Sequence, residues 1–225
     1  MNPVDLFLYV AIINAALLLA TTTLFIAKIS NAPFWVSTQK HLKQHAYTYT
    51  FIISTLASLA SLYLSEIVQI IPCFMCWLQR AFMYPLAVFS GYKLFKNKQL
   101  YVPTLAVAAT ILLYLGVQVL SEEYMKAYVW YGLVAAAPLA IYSVSKLTSY
   151  YSDKRYALLL AITGGLIAAY HYAVQQIDFL SQTVPCGVDV SCSTMHLSYW
   201  GFYSIPLMAL SAFLACAFVL WQAKK

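Results

Sequence analysis

Long apolar runs separated by short polar segments dominate the sequence. Seven runs are long enough to cross a hydrocarbon core of about 30 Å. The predicted spans are approximately Leu6–Ala27, Thr50–Ile71, Trp77–Leu94, Val102–Leu120, Ala127–Leu147, Tyr156–Gln175 and Trp200–Trp221. The polar segment Ile29–His45 is predicted as the longest cytoplasmic loop. The pattern therefore predicts an all-α integral membrane protein with about seven transmembrane helices.

The composition and the charge distribution fit this class. Of the 225 residues, 63% are hydrophobic and only 9% are charged. Eleven of the 13 basic residues fall in loops on one side of the predicted topology, and the positive-inside rule makes that side cytoplasmic. The N-terminus is then outside and the C-terminus inside. Because topology accounts for the positive charge, the expected partner is the lipid bilayer and not a nucleic acid.

A closely spaced cysteine pair precedes the third predicted span. Pro72 ends the preceding helix, so a new helix is expected to start near Cys73 and Cys76. The free N–H groups and the dipole of that helix start favour a thiolate, and Arg80 adds a positive charge on the same helix face as Cys76. The thiolate is the reactive form of cysteine, so the pattern favours a redox pair over a static disulfide or half of a metal site.

A second cysteine pair lies in the polar loop before the last span. Four predicted spans separate Cys186 and Cys192 from the first pair, which places both pairs on the extracytoplasmic face, where disulfides persist. A disulfide across so short a loop gives modest entropic stabilisation. An exchangeable bond is therefore the favoured interpretation, and a structural disulfide stays open.

Three other residues allow alternative interpretations. His171 is the only histidine in a predicted span; it either packs as a neutral imidazole or flanks a cavity shared with Arg80 and helps to deliver protons. Arg80 either extends to lipid phosphates or donates hydrogen bonds to a small carbonyl ligand beside Cys76. Cys216 is predicted to be a buried small hydrophobe. No metal site is expected, because Arg80 would direct its charge at a cation held by the two pairs.

The order of these motifs resembles the disulfide bond formation protein B (DsbB) family and its Gram-positive relative BdbC. The matching features are Pro72-Cys73-x-x-Cys76-x-x-Gln79-Arg80, His171, the segment Val184–Cys192, and Trp200-Gly201-Phe202 followed by Ile205-Pro206. Together they cover the spans from Thr50 to Leu94 and from Tyr156 to the C-terminus.

The resemblance implies a protein-disulfide:quinone oxidoreductase in the cytoplasmic (inner) membrane of a prokaryote, supporting disulfide bond formation. A reduced thioredoxin-fold partner similar to DsbA or BdbD would attack Cys186, and the released Cys192 would attack Cys73. Cys76, with Arg80 beside it, would then pass electrons to the membrane quinone pool, either ubiquinone or menaquinone. His171 matches a family histidine near the quinone.

Two predicted additions depart from the four-helix bundle that is typical of this family. Residues 1–47 form an extra N-terminal span and a cytoplasmic linker. Residues 48–225 form the DsbB-like domain, with core spans at 50–94 and 156–221 and a helical hairpin inserted at about 102–147. The sequence assigns no role to either addition.

Two rival interpretations stay open. A quinone-linked oxidoreductase of the vitamin K epoxide reductase type has its loop pair before the C-x-x-C pair, which is the reverse of the order here. A multi-span receptor or transporter with structural disulfides predicts neither a bound quinone nor a reducible pair.

Overall fold

A computed structural model describes residues 3–31, 33–95, 154–181, 192–193 and 198–223. Its elements are helices α1 (Pro3–Ile29), α2 (Pro33–Glu66), α3 (Phe74–Phe95), α4 (Lys154–Gln176), α5 (Asp178–Ser181) and α6 (Ile205–Gln222), with strands β1 (Ser198–Tyr199) and β2 (Tyr203–Ser204) before α6. The predicted spans Val102–Leu120 and Ala127–Leu147 lie outside the described residues, as does Cys186.

The long helices of the described region are those of a membrane protein, as the apolar pattern predicts. Four of them are long and apolar enough to span a bilayer: α1 (over Leu8–Ile29), α2, α4 and α6. Helix α3 has 22 residues, contains Arg80 and Lys93, and packs against α2 and α4. The helical character is confirmed in the described residues, and the count of seven spans stays a prediction.

The core lies where α3, α4 and α6 meet. Met83 and Leu86 from α3 pack with Ala161 and Ala168 from α4 around the fully buried Phe213 of α6. Bulky side chains on α6 thus face small residues on α4, which lets the two helices approach closely, as helices in lipid commonly do.

Helix α1 is joined to α6 and to the hairpin before it by a half-buried polar contact. Asn14 Nδ2 donates to the carbonyl oxygen of Met208 at 3.2 Å, and its Oδ1 accepts from Tyr203 Oη at 2.7 Å and from Ser211 Oγ. Hydrogen bonds hold membrane helices together where lipid competes with apolar contacts. The predicted extra N-terminal span is therefore packed into the bundle.

Basic side chains gather at the end of the bundle opposite the first cysteine pair. Lys28 lies 3.5 Å from the centroid of the Trp221 ring, and Lys154 donates to the carbonyl oxygen of Ala223 at 2.9 Å. Cys73 precedes α3, whereas Lys93 lies in its last turn. The basic side chains and the first cysteine pair thus lie at opposite ends of the bundle, as the predicted topology requires. The orientation of the bundle in the membrane stays a prediction.

The predicted loop Ile29–His45 is wrong, because α2 already begins at Pro33. The helix continues through a kink at His45, where φ is −111° and ψ is 18°. The part of α2 before the kink is mostly polar, but it carries an apolar stripe that includes Trp35 and Leu42. These side chains are buried against the C-terminal part of α6, and this tertiary packing stabilises a helix that hydropathy alone does not indicate.

The last helix begins later than the predicted Trp200. Residues 198–204 form a hairpin in which Tyr199 pairs with Tyr203. At its turn, Trp200 and Gly201 have φ values of 54° and 77°, a left-handed conformation that interrupts any helix. Helix α6 then starts at Ile205.

The contact between Gly164 and Phe213 yields a matched pair of variants. A Cβ at Gly164 would overlap the Phe213 ring, whereas one at Gly165 would lie 3.4 Å from Phe213 Cβ, an ordinary contact. We expect Gly164→Ala to destabilise the protein by about 1–3 kcal/mol through overpacking. Gly165→Ala should be neutral or stabilising, since alanine is more favourable than glycine in the interior of a helix by about 1 kcal/mol. Thermal unfolding in detergent measures both, and equal effects would contradict this packing.

Candidate redox site

The first cysteine pair lies at the start of α3, as the sequence predicts. The first hydrogen bond of the helix runs from the Trp77 N–H to the Cys73 carbonyl oxygen at 3.2 Å, so Cys73 caps the helix and Cys76 lies in its first turn. Both cysteines are free thiols, and their sulfur atoms are 3.3 Å apart. A small side-chain rotation would bring them within disulfide-bonding distance.

A buried histidine connects this pair to the second cysteine loop. His171, on α4, is 1% exposed. Its Nε2 lies 3.2 Å from the Cys192 carbonyl oxygen and 3.6 Å from Cys73 Sγ, and its Nδ1 lies 3.0 Å from Gln79 Nε2. A carbonyl oxygen can only accept, so Nε2 carries the proton and Nδ1 accepts from the Gln79 amide. In this tautomer the imidazole donates towards both Cys192 and Cys73.

These contacts favour a thiolate at Cys73. The Cys76 thiol donates to the Cys73 sulfur, and this hydrogen bond, with help from His171 and from the backbone N–H of Cys76, lowers the pKa of the Cys73 thiol to about 4 although burial opposes the shift. The sequence predicts thiolate stabilisation here by the helix start and Arg80. The backbone contribution agrees, but the predicted effect of Arg80 on Cys76 does not prevail. The hydrogen bond to Cys73 and burial raise the pKa of the Cys76 thiol although Arg80 opposes this shift. The stabilised thiolate is therefore Cys73, through Cys76 and His171.

Arg80 lies one turn deeper in the bundle and is 7% exposed. Its Nε donates to Ser61 Oγ and its Nη2 to the Ser61 carbonyl oxygen, each at 2.9 Å. The centre of the guanidinium lies 5.0 Å from the Trp77 ring centroid. The side chain therefore faces the protein interior instead of extending to lipid phosphates, and Ser61 uses two of its five N–H donors.

A cavity of about 620 Å³ lies beside these groups. Its lining is mostly apolar and includes Cys73, Cys76, Arg80, His171 and Cys192. This size and this combination of many apolar walls with a few polar groups are typical of small-molecule sites. The described structure thus brings five of the six predicted site residues to one cavity; the sixth, Cys186, lies outside the described residues.

Cys192, in the loop before α6, lies close to Cys73 although the two residues are far apart in the sequence. Cys192 is disulfide-bonded and packs in one buried cluster with Cys73 and Val174. Cys216, by contrast, is a fully buried free cysteine in the core around Phe213. Its position agrees with the prediction of a small hydrophobe.

A metal is an alternative ligand for part of this site. The donor atoms of Cys73, Cys76 and His171 lie within 4.8 Å of one another, a set that could provide three ligands to a zinc ion. In the tautomer described above, however, Nε2 holds a proton and points at a carbonyl oxygen, so it has no lone pair for a cation. The donor set therefore fits a redox dithiol better than a metal centre.

Sequence reasoning assigned no role to Gln79 and Ser61. Gln79 orients His171, and Ser61 orients Arg80. Both are polar residues in predicted membrane spans, where such side chains are costly and usually functional. The cost of placing a polar side chain in a membrane span could have identified Gln79 and Ser61 as residues of interest. Their partners, His171 and Arg80, are remote in the chain and can be identified only from the fold.

The chain is similar to bacterial disulfide formation proteins. It is 27% identical over 165 residues to the disulfide bond formation protein C of Bacillus subtilis, covering 73% of this chain and 82% of that protein. A probable disulfide formation protein C 1 of Bacillus cereus is 29% identical over 175 residues, 76% of this chain and 88% of the relative. A probable disulfide formation protein of Coxiella burnetii is 24% identical over 183 residues, 81% and 89% of the two chains. No family model and no solved structure matches the chain.

The lowered pKa of Cys73 predicts an unusual pH profile for its alkylation. Because the hydrogen bond with Cys76 lowers the pKa of Cys73 to about 4, the reduced protein should react with iodoacetamide at Cys73 at a nearly constant rate above pH 6. The rate should fall as pH drops through about 4. In Cys76→Ala, loss of the strongest stabilising hydrogen bond should move this inflection upward. Mass spectrometry of the labelled peptide gives the rates, with Cys216→Ala as control. An inflection near the ordinary value of about 8.5 in the parent protein would contradict the geometry.

Proposed function

Because this chain belongs to the disulfide bond formation protein family, we propose that it is a membrane thiol:quinone oxidoreductase that reoxidises an extracytoplasmic thioredoxin-fold protein. One observation carries the proposal. A dithiol, formed by buried Cys73 and half-buried Cys76, opens into an apolar cavity that Arg80 also lines. A cysteine pair that only stabilised the fold would need neither free thiols nor a cavity beside them.

The thiol relay transfers two electrons and two protons from the partner's dithiol. One partner thiolate attacks Cys186 of a Cys186–Cys192 disulfide and releases Cys192 as a thiolate, and the second partner thiol then completes the partner's own disulfide. Cys192 attacks Cys73 of the oxidised first pair and releases Cys76. Attack by Cys186 on Cys192 restores the loop disulfide and leaves Cys73 and Cys76 reduced, the oxidation state of these two residues in the structure.

His171 is suited to the exchange between the two pairs. Its Nε2–H is directed at Cys73 and at the backbone of Cys192, so it stabilises negative charge on Cys73 whenever that sulfur is the leaving group. A lower pKa of the leaving thiol speeds thiol–disulfide exchange. The same contact keeps the Cys192 backbone beside the first pair.

The quinone is the second substrate, and its ring would lie beside Cys76 and Arg80. The Cys76 thiol would pass its proton to the Cys73 thiolate as its sulfur attacks the ring. Displacement by Cys73 then forms the disulfide and leaves both electrons on the quinol, which takes up two protons. Negative charge grows on a ring oxygen during this step. The N–H donors of Arg80 that Ser61 does not use can stabilise that charge in a site from which water is excluded.

The family also supports a location for this chemistry. The cysteine end of the bundle would face the extracytoplasmic side of a prokaryotic cytoplasmic membrane, and the end with Lys28 and Lys154 would face the cytoplasm. In this orientation the loop pair meets secreted partners, while the cavity opens at bilayer depth, where the quinone pool lies.

A turnover assay tests the proposal. The purified protein, a reduced thioredoxin-fold partner and a soluble quinone should together show loss of quinone absorbance in the ultraviolet. We expect Cys73→Ala and Cys76→Ala to abolish turnover, because each removes a sulfur from the relay, and Cys216→Ala to retain it. Turnover that survives Cys73→Ala, or a parent protein that oxidises the partner without consuming quinone, would refute the proposal.

Arg80 provides a separate test of the quinone step. Arg80→Met should lower kcat/KM for the quinone by about 10²-fold, the usual loss when one donor to a developing oxyanion is removed. The partner should still reduce the loop disulfide at the parent rate, which a thiol-labelling gel shift measures in the absence of quinone. If both steps slow equally, Arg80 supports the fold and does not act on the quinone.

A further inference from the structure

The N-terminal helix α1, which the DsbB-like core does not require, lines the cavity next to the redox site. Val10, Ile13, Asn14 and Leu17 all face this cavity. They lie along about two turns of α1, or about 10 Å of helix. The hydrogen bonds of Asn14 to Met208 of α6 and to Tyr203 of β2 hold this wall in place. Helix α1 therefore belongs to the site as well as to the bundle.

The cavity continues inward beyond the polar groups of the redox site. On α2 its lining runs from Ser61, the partner of Arg80, to Ile53, about 12 Å deeper at 1.5 Å per residue. The deep walls are Leu17, Ile53 and Phe213, all apolar. Two polar side chains line that part: Ser58 Oγ donates to the Ser54 carbonyl oxygen at 2.7 Å, and the buried Tyr84 hydroxyl has no hydrogen-bond partner among the described residues. The walls of this inner part are mostly apolar and suit a hydrocarbon chain, with the Tyr84 hydroxyl as one polar group.

The cavity also has a side opening between α1 and α2. Ile13, Leu56 and Leu59 line the cavity and are nevertheless 68%, 59% and 53% exposed. All three lie in helices that are apolar enough to cross a membrane, so the opening faces lipid. A substrate dissolved in the bilayer can enter there without passing through water.

From these three observations we propose that α1 and α2 form a lateral portal and a binding slot for the isoprenoid tail of the quinone. The tail lies between Leu17 and Ile53, and the ring is held at Arg80 and Cys76. This inference rests on the proposed quinone reduction and extends it. In this inference, helix α1 makes the protein select quinones that carry an isoprenoid tail over quinones that lack one.

Two tryptophan variants of α1 provide a matched test. Leu17→Trp fills the inner slot, whereas Leu19→Trp places the same side chain on a residue that is 66% exposed and does not line the cavity. Leu17→Trp should raise KM about tenfold for menaquinone-4, in line with the cost of overpacking, and change it less than twofold for menadione, which lacks the tail. Leu19→Trp should match the parent protein with both quinones. Leu56→Trp, on the facing wall, should repeat the effect of Leu17→Trp.

Photolabelling separates this inference from the proposed function, because it needs no turnover. A menaquinone analogue with a photoreactive group at the end of its tail should label α1 and α2 in the parent protein, and much less in Leu17→Trp. Labelling without turnover would support the slot and refute the oxidoreductase. Labelling confined to other helices, equal labelling of Leu17→Trp and the parent, or equal KM increases for both quinones would overturn the slot.

Discussion

The hydrogen bonding of one buried imidazole determines the geometry of the redox site. His171 contacts Gln79 and Cys73 near the start of α3 and the backbone at Cys192. An unpaired polar group in this position would cost about 1–3 kcal/mol, so the three contacts constrain one another. Gln79 fixes the tautomer, and the tautomer directs the proton at the two sulfur-bearing segments. The close packing of α4 on α6 at Gly164 keeps the histidine within reach.

Polar residues elsewhere in the bundle follow the same rule. Arg80 is held by Ser61, and Asn14 is held by the N-terminal part of α6. Each of these polar groups lies where lipid gives it no partner, so its placement is determined by a specific group on another helix. The consequence is that the polar contacts of this protein position both the reactive sulfurs and the helix that forms the outer wall of the cavity.

The sequence predicts much of this arrangement, and the errors have physical causes. The helix start at Cys73 and the separation of cysteines from basic residues follow from Pro72, charge and spacing, which are local signals. The direction of Arg80 stayed open, because its partner Ser61 lies on another helix. The helix at Pro33 was missed because its stability comes from Trp35 and Leu42 packing on α6, a tertiary contact. The tautomer of His171 and the wall formed by α1 likewise depend on residues more than 90 positions apart in the chain. Pairings at such distances are decided by the fold.

The two substrates of the proposed reaction would reach the site by different routes. In this proposal, protein thiols would meet the loop at the end of the bundle where α3 begins, whereas a lipid-soluble acceptor would enter between α1 and α2 at membrane depth. Cys73 and Cys76 lie between these routes and are mostly buried, with Cys73 only 7% exposed. A thiol on another protein therefore has little direct access to the pair. The proposed relay of two cysteine pairs would meet this constraint, because electrons would have to cross from an aqueous surface to an apolar cavity. The Cys192 backbone beside His171 is the described contact between the two pairs.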